Sequence, residues 1–398
     1  MTKHLYYEDS YLTEFAANLV EHRLVEGKPA AVLDRTAFYP TSGGQPCDAG
    51  WLEGIRVESV EEDDSGIIVH MLAGPLGSST AAVRGKVDWE RRFDHMQQHT
   101  GQHILSQAFV AVAQAGTLSF HLGQEISTID VDLAQPEASL LRTVEDLANR
   151  IVFEDRPVRT LNVTRQELDS LGIRKETQRE GEIRVIEVEN FDRSACGGTH
   201  VRRCGEIGLI MILGGERYKG GTRIEFVCGG RALHSFRKDH ETIRSLGKLF
   251  SAHPHELPEL CEKFLAERAA LVREKKRLEE DILALEAQEL IHGAEKINGL
   301  LAVRRNYGDR KIESLKILAQ KVTAAPGMLA ILSTVQDTAQ LVVARSQDLA
   351  GDCGAAIKQM AAKLGGRGGG RPELAQAGSI AASALDEWVQ GIVDLFKR

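Results

Sequence analysis

The 398-residue sequence contains no run of about eighteen consecutive apolar residues, and its opening Met1-Thr2-Lys3-His4-Leu5-Tyr6-Tyr7-Glu8 lacks the apolar stretch of a secretory leader. A membrane-spanning helix and export are therefore not expected, and the chain reads as cytoplasmic. Cysteine is scarce. Cys47, Cys196, Cys204, Cys228, Cys261 and Cys353 are thinly spread, which argues against a disulfide framework and leaves all but Cys196 with the reading of small buried hydrophobes. Excess positive charge is also missing. A formal net charge of -8 excludes a generally basic nucleic-acid coat, so any RNA contact must come from a local basic patch.

What is present is the composition of a folded chain, with 27% charged and 42% hydrophobic residues over a length that suits two or three domains. Short alternating runs at residues 30–33 and 67–71, punctuated by Gly, Asp and Pro, predict a small antiparallel β-domain over 1–88. A helical period then begins near Met96, with Ile104, Ala108, Ala111 and Val112 as its apolar stripe. Strands near 127–133, 184–189, 207–213 and 222–228, with a helix over 136–153, make residues 89–237 an α+β domain without regular βαβ alternation.

Residues 238–310 read as a helical spacer. Leu257, Phe264, Leu271, Leu278 and Leu285 recur every seven residues, while the companion seam of Cys261, Arg268, Lys275, Ile282 and Glu289 is mostly polar. That mixture suits an intramolecular helical hairpin better than a long parallel coil. Residues 311–398 carry apolar runs at 329–332 and 340–344, then helices and the string Gly365-Gly366-Arg367-Gly368-Gly369-Gly370-Arg371-Pro372, and predict a small α/β domain with a glycine loop.

Two motifs carry chemistry. His99-Thr-Gly-Gln-His103 sets two imidazoles one turn apart on the same helix face, a weak metal signal alone. Cys196-Gly-Gly-Thr-His200 adds a thiol and an imidazole around a Gly pair that lets the backbone turn. Together they offer soft sulfur and borderline nitrogen at tetrahedral number, the donor set of Zn2+, one ion per chain. Four protein ligands are also the mark of a closed structural site, since a catalytic zinc keeps a position for water.

These motifs, within Ser194-Ala-Cys-Gly-Gly-Thr-His-Val201 and followed by Gly205-Glu-Ile-Gly208, resemble the editing domain of alanyl-tRNA synthetases and their AlaX-type relatives. A related motif occurs in threonyl-tRNA synthetase editing domains. Asp34-Arg-Thr-Ala-Phe-Tyr-Pro40 and Gly43-Gly-Gln-Pro46 resemble the glycine-rich barrel of AlaX-type proteins, with Ser42 where other members often carry a third glycine. Residues 365–378 resemble the carboxy-terminal DHH-associated domain, which makes the whole similar to the long AlaX form.

The resemblance implies a hydrolase that deacylates tRNA(Ala) carrying serine or glycine, because an alanine pocket cannot strongly reject an added hydroxyl or exclude a smaller residue. It implies substrate contacts from Thr36, Gly43, Gly44 and Gln45, with Thr36 selecting serine; the competing account of Thr36 is a hydroxyl bonded to its own backbone. It implies tRNA contacts at Gly366, Arg367, Gly368, Gly369, Gly370 and Arg371, and a homodimer through the spacer or the carboxy-terminal domain. No catalytic residue is assigned, and zinc can activate water, polarise the carbonyl or orient the substrate.

His121 stays outside the catalytic set, and Arg91 and Arg92 are candidates for either acceptor-end contacts or solvated surface charge. A zinc-stiffened tRNA-binding module without catalysis and a deacylase of Ser-tRNA(Thr) are the alternatives. A phosphoesterase is disfavoured, since Asp94-His-Met and Asp239-His-Glu are the nearest strings to an Asp-His-His signature. A complete synthetase is disfavoured because the resemblance leaves no segment for aminoacylation.

Overall fold

The alternating runs of the first 88 residues close into a barrel. Its strands are β1 (Glu14–Val25), β2 (Lys28–Leu33), β3 (Gly50–Leu52), β4 (Ile55–Glu62), β5 (Ile68–Leu72) and β6 (Ala82–Val87). They pair antiparallel in the closed order β1-β2-β5-β4-β3-β6. β6 shows the cause: Val83 and Val87 point into the core while Arg84 and Lys86 stay exposed. Phe15, Leu33, Leu52, Val57, Val60, Ile68 and Leu72 complete that core. The structure is a computed structural model that describes residues 2–77, 81–174, 181–297 and 299–396.

From the barrel the chain enters α1 (Trp89–Ala113), where the Asp88 carboxylate accepts the Arg91 N–H at the N-cap and Gln114, at φ +54°, ends the helix in a left-handed turn. It begins seven residues before Met96, where the apolar period was expected to start. Its buried stripe is Ile104, Leu105, Ala108 and Phe109; Ala111, expected in the stripe, is exposed. This stripe packs on β8, α2 and β13, whose ranges follow, and truncating Phe109 to Ala would cost about 3–5 kcal/mol.

The four-stranded antiparallel sheet runs β12-β13-β8-β7, where β7 is Thr117–Leu122, β8 is Ser127–Val131, β12 is Ile210–Tyr218 and β13 is Gly221–Cys228. Helix α2 (Ala138–Phe153) lies in the same core. A second antiparallel sheet orders β9 (Val158–Val163), β10 (Ile183–Val188) and β11 (Asp192–Ala195). Helix α3 (Gly229–Phe250) follows β13. The mixture is α+β, as expected from the pattern.

The chain divides into two compact units, Met1–Lys248 and Leu249–Arg398. In the second, α4 (Leu257–His292) leads into a six-stranded sheet of order β14-β15-β16-β17-β19-β18. These are β14 (Glu295–Ile297), β15 (Leu300–Asn306), β16 (Met328–Val335), β17 (Ala339–Arg345), β18 (Arg367–Gly370) and β19 (Leu374–Ile380). Among the described residues of this sheet, only β15 and β16 pair in parallel, joined by α5 (Ile312–Val322). Helices α6 (Cys353–Leu364) and α7 (Leu385–Phe396) pack around Trp388.

Along α4, Leu271, Leu278 and Leu285 are exposed, while Leu283, Ala287 and Leu290 near its end join a core. One expectation changes here. The glycine string is not a free loop, because Arg367–Gly370 forms an edge strand on β19. Glycine permits that close pairing: a Cβ on Gly370 would meet the Ala375 Cα at 2.4 Å.

Candidate metal centre

Helix α1 buries an unusual set of polar side chains for a core helix, among them His95, Gln98, His99, Thr100, Gln102 and His103. Buried polar groups need partners, and two of these meet the segment that follows β11. His99 and His103 stand one turn apart as the spacing requires, and Cys196 and His200 reach them from that segment. Potential ligand atoms of all four lie within 4.8 Å of one another. Cys196 Sγ is 3.4 Å from both His99 Nε2 and His200 Nε2. A tetrahedral zinc with ordinary Zn–N and Zn–S bonds would hold such atoms about 3.6 Å apart.

Each imidazole is oriented from behind. His99 Nδ1 is 2.8 Å from Gln45 Oε1, His103 Nδ1 is 3.2 Å from Asp192 Oδ2, and His200 Nδ1 is 3.1 Å from Thr100 Oγ1. With the proton on Nδ1 facing these acceptors, every Nε2 is left for a metal. Asp192 is itself fixed by the Arg174 Nε at 2.8 Å and by the Ser194 hydroxyl. The backbone of the metal loop is held by Arg184, whose Nη1 donates to the carbonyls of Cys196 and Gly198.

Electrostatics agree with a thiolate centre. Burial pushes the Cys196 thiol up, but the neighbouring imidazoles of His99 and His200 and a hydrogen bond with His103 outweigh it and hold the thiol well below its ordinary range. Burial lowers His103, yet the Asp192 and Cys196 bonds prevail and raise it to about 8. Burial and the adjacent His99 bring His200 down to about 3. The donor set, its geometry and its second layer of acceptors all fit Zn2+.

The backbone bends at Gly198, as the glycine pair leads one to expect. Gly198 makes this bend without a left-handed φ, and glycine is needed there for space, since a Cβ would lie 2.2 Å from His99 Cε1 and 2.8 Å from Gln45 Oε1. The barrel motif does form a tight turn. Ser42 and Gln45 exchange both backbone hydrogen bonds across Gly43 at φ +55° and Gly44 at φ +85°, a type I′ arrangement. Ser42 sits before the positions that need glycine, so a third glycine is not required there.

The remaining expected residues fall in several places. Gln45 is fully buried, with both ends of its amide on His99 and Thr199. Thr36 is also fully buried; its Oγ1 is 2.8 Å from His70 Nε2 and accepts the Phe38 N–H, the local bond two residues on. Gly44 lines a cleft of about 360 Å³ with Thr41, Arg91 and His121. Arg92 is corrected on both readings: it is neither exposed nor available to RNA, being fully buried against Asp48. In the second unit, Arg367, Gly368 and Gly369 line a cleft of about 440 Å³ with Gln340 and Gln376. Gln45, Thr100 and Asp192 escape a reading by motif as orienting groups, because their partners are 54, 100 and 89 residues away. The one sequence signal was the density of polar residues in Gln97-Gln-His-Thr-Gly-Gln-His103 on a helix that must be buried.

Comparison with known proteins adds two domains. The threonyl and alanyl tRNA synthetase second additional domain, tRNA_SAD, matches residues 183–225, which include Cys196 and His200, and the DHHA1 domain matches residues 306–398. The alanine–tRNA ligase of Pyrococcus furiosus is 34% identical over 94% of this chain and 42% of its own length. That of Pyrococcus abyssi is 33% identical over 99% of this chain and 44% of its own. That of Methanoregula boonei is 34% identical over 97% and 42%. The chain thus spans less than half the length of these relatives. The C-Ala domain from Aquifex aeolicus alanyl-tRNA synthetase covers 26% of this chain at 20% identity and a TM-score of 0.25, a likeness too low to define a fold. Both domain matches, and similarity along nearly the whole sequence to part of the alanine–tRNA ligases, are consistent with the resemblance to AlaX-type proteins.

Proposed function

We propose that the chain removes a wrong amino acid from tRNA(Ala), chiefly serine and also glycine, by hydrolysing the aminoacyl ester beside the His99, His103, Cys196 and His200 site. The observation that carries this reading is the convergence of those four donors at the barrel's glycine turn, on a stretch homologous to alanine–tRNA ligases. Water adds to the ester carbonyl, the bond to the ribose oxygen breaks, and that oxygen takes the proton, leaving free amino acid and tRNA. Bound zinc supplies Lewis acidity to a water or carbonyl. Asp192, Thr100 and Gln45 hold the imidazoles in register, and Arg184 fixes the loop that carries the thiol.

Thr36 is the residue proposed for serine selection, although its hydroxyl already has His70 and Phe38 as partners. A Thr36→Val variant with an unchanged serine-to-alanine ratio confines it to the barrel core. The β18 edge and its cleft, with Arg367 and Arg371, are the proposed tRNA contact, and the exposed stripe on α4 is the proposed homodimer contact.

The four-donor set itself favours one second reading, a zinc-stiffened tRNA-binding module, because four protein ligands close a zinc site. A deacylation panel with Ser-, Gly-, Ala- and Thr-charged tRNAs decides. Release of serine from Ser-tRNA(Ala) that is lost in His103→Ala supports the hydrolase. Binding without release supports the module, and preference for Ser-tRNA(Thr) moves the substrate.

A further inference from the structure

The glycine turn of the barrel is tied into the metal centre through one side chain. Gln45 Oε1 lies 2.8 Å from His99 Nδ1 and accepts the Thr199 N–H at 3.2 Å, while Nε2 donates to Thr199 Oγ1 at 2.9 Å. The residue is fully buried, so solvent offers no substitute for these bonds. Its backbone is equally constrained, because Ser42 and Gln45 close the type I′ turn and the Gly44 carbonyl accepts the Leu122 N–H at 3.0 Å. Gly198 completes the contact by lacking a Cβ where His99 and Gln45 converge.

We infer that Gln45 is a positioning residue of the metal centre. It fixes the His99 ring with Nε2 toward the metal and grips Thr199, the residue between the Gly pair and His200. Its amide therefore serves ligand geometry and is not offered to the ester or the terminal adenosine. The barrel becomes part of the metal site: one amide connects its turn to a ligand on α1 and to the loop that holds the other two donors. The inference rests on the metal reading of the four donors and not on deacylation.

Asp192 and Thr100 orient ligands from within residues 89–237, whereas Gln45 reaches in from the barrel. Removing an orienting partner of a metal-bound histidine typically weakens metal binding about 10–100-fold. The test measures Zn2+ affinity of the full chain by chelator competition, with the Co2+ absorption spectrum as a report on ligand geometry. Gln45→Ala should weaken Zn2+ binding by about 10–100-fold and alter the Co2+ ligand-field bands. Gln45→Glu keeps the acceptor for His99 and the Thr199 N–H, and its second oxygen can accept from the Thr199 hydroxyl once that turns to donate, so it should stay within about threefold of the wild type. Thr199→Val, which frees only the far end of the amide, should give a smaller loss in the same direction, and it carries the test with Gln45→Glu if Gln45→Ala does not fold.

Wild-type affinity and an unchanged Co2+ spectrum in Gln45→Ala overturn the inference, as does a Gln45→Glu variant no better than Gln45→Ala. A wild-type chain that binds no Zn2+ overturns it together with the metal reading. A chain that binds Zn2+ in this pattern and releases no serine leaves the inference standing and removes only the hydrolase.

Discussion

Arg92 and Asp48 form an ion pair in which neither side chain reaches solvent, across the joint between α1 and the barrel. Arg92 Nε lies 3.0 Å from each carboxylate oxygen, and its two terminal nitrogens donate to the carbonyls of Ser10 and Ala37. Asp48 also accepts the Tyr39 N–H at 2.6 Å. The pair is saturated with hydrogen bonds, the condition under which burying two charges is tolerated.

Removing one partner leaves the other charge buried without compensation. Arg92→Leu should therefore lower the unfolding free energy by about 3–5 kcal/mol. Arg91→Ala should change it far less, since Arg91 is only partly buried and bonds through Nε to the Cys47 carbonyl. Urea denaturation followed by tryptophan fluorescence compares the two. A shift of under about 1 kcal/mol for Arg92→Leu would place the pair among ordinary surface bridges.

The same residue marks the limit of what could be read in advance. Strand alternation and helical period located the antiparallel β-domain, most of α1 and strands β8, β10, β12 and β13, because those patterns repeat within a few residues, while β7, β9 and β11 were not read. The four donors were legible because ligand spacing is local: His99 and His103, like Cys196 and His200, are four positions apart. Arg92 was misread because burial of a charge depends on Asp48, which is 44 positions away and has no periodic relation to it. The heptad on α4 has a related limit: a stripe of leucines specifies that something covers it, not what.

The steric account of Gly198 gives a sharp comparison. Gly198→Ala puts a methyl 2.2 Å from His99 Cε1, against a ring already held by Gln45, so the ring or the loop must shift. Zinc content and affinity should fall about tenfold or more, with secondary structure retained. Gly43→Asn is the control. Gly43 has open space and φ +55°, and asparagine tolerates that region, so zinc should be retained. Equal zinc content in the two variants would refute the packing argument.

His70 makes the barrel sensitive to acid. Burial, only partly offset by a bond to the Ala31 carbonyl, lowers it to about 4, while an unfolded histidine titrates near its ordinary 6.5. The unfolded chain then takes the proton first, so the stabilisation is complete above about pH 6.5 and is lost as pH falls through about 4. Between pH 7 and pH 5 this linkage removes about 2 kcal/mol. His70→Gln abolishes the titration and should flatten the fall by that amount, read as the difference between urea midpoints at the two pH values. Parallel pH slopes for wild type and variant would show that His70 is not the source.

The exposed stripe on α4 yields the last prediction. Phe264, Leu271, Leu278 and Leu285 recur at seven-residue intervals, each at least 49% exposed, with Leu265, Val272 and Ile282 exposed beside them. Apolar area of this kind on a 36-residue helix is stabilised by covering it, and a second copy presents the same repeat. Sedimentation should find the wild type as a dimer and Leu271→Lys/Leu278→Lys as a monomer. Because those side chains are exposed in the single chain, the double variant should keep its thermal stability at high dilution. A wild type that stays monomeric at micromolar concentration removes the dimer, and a variant that stays dimeric moves the contact away from α4.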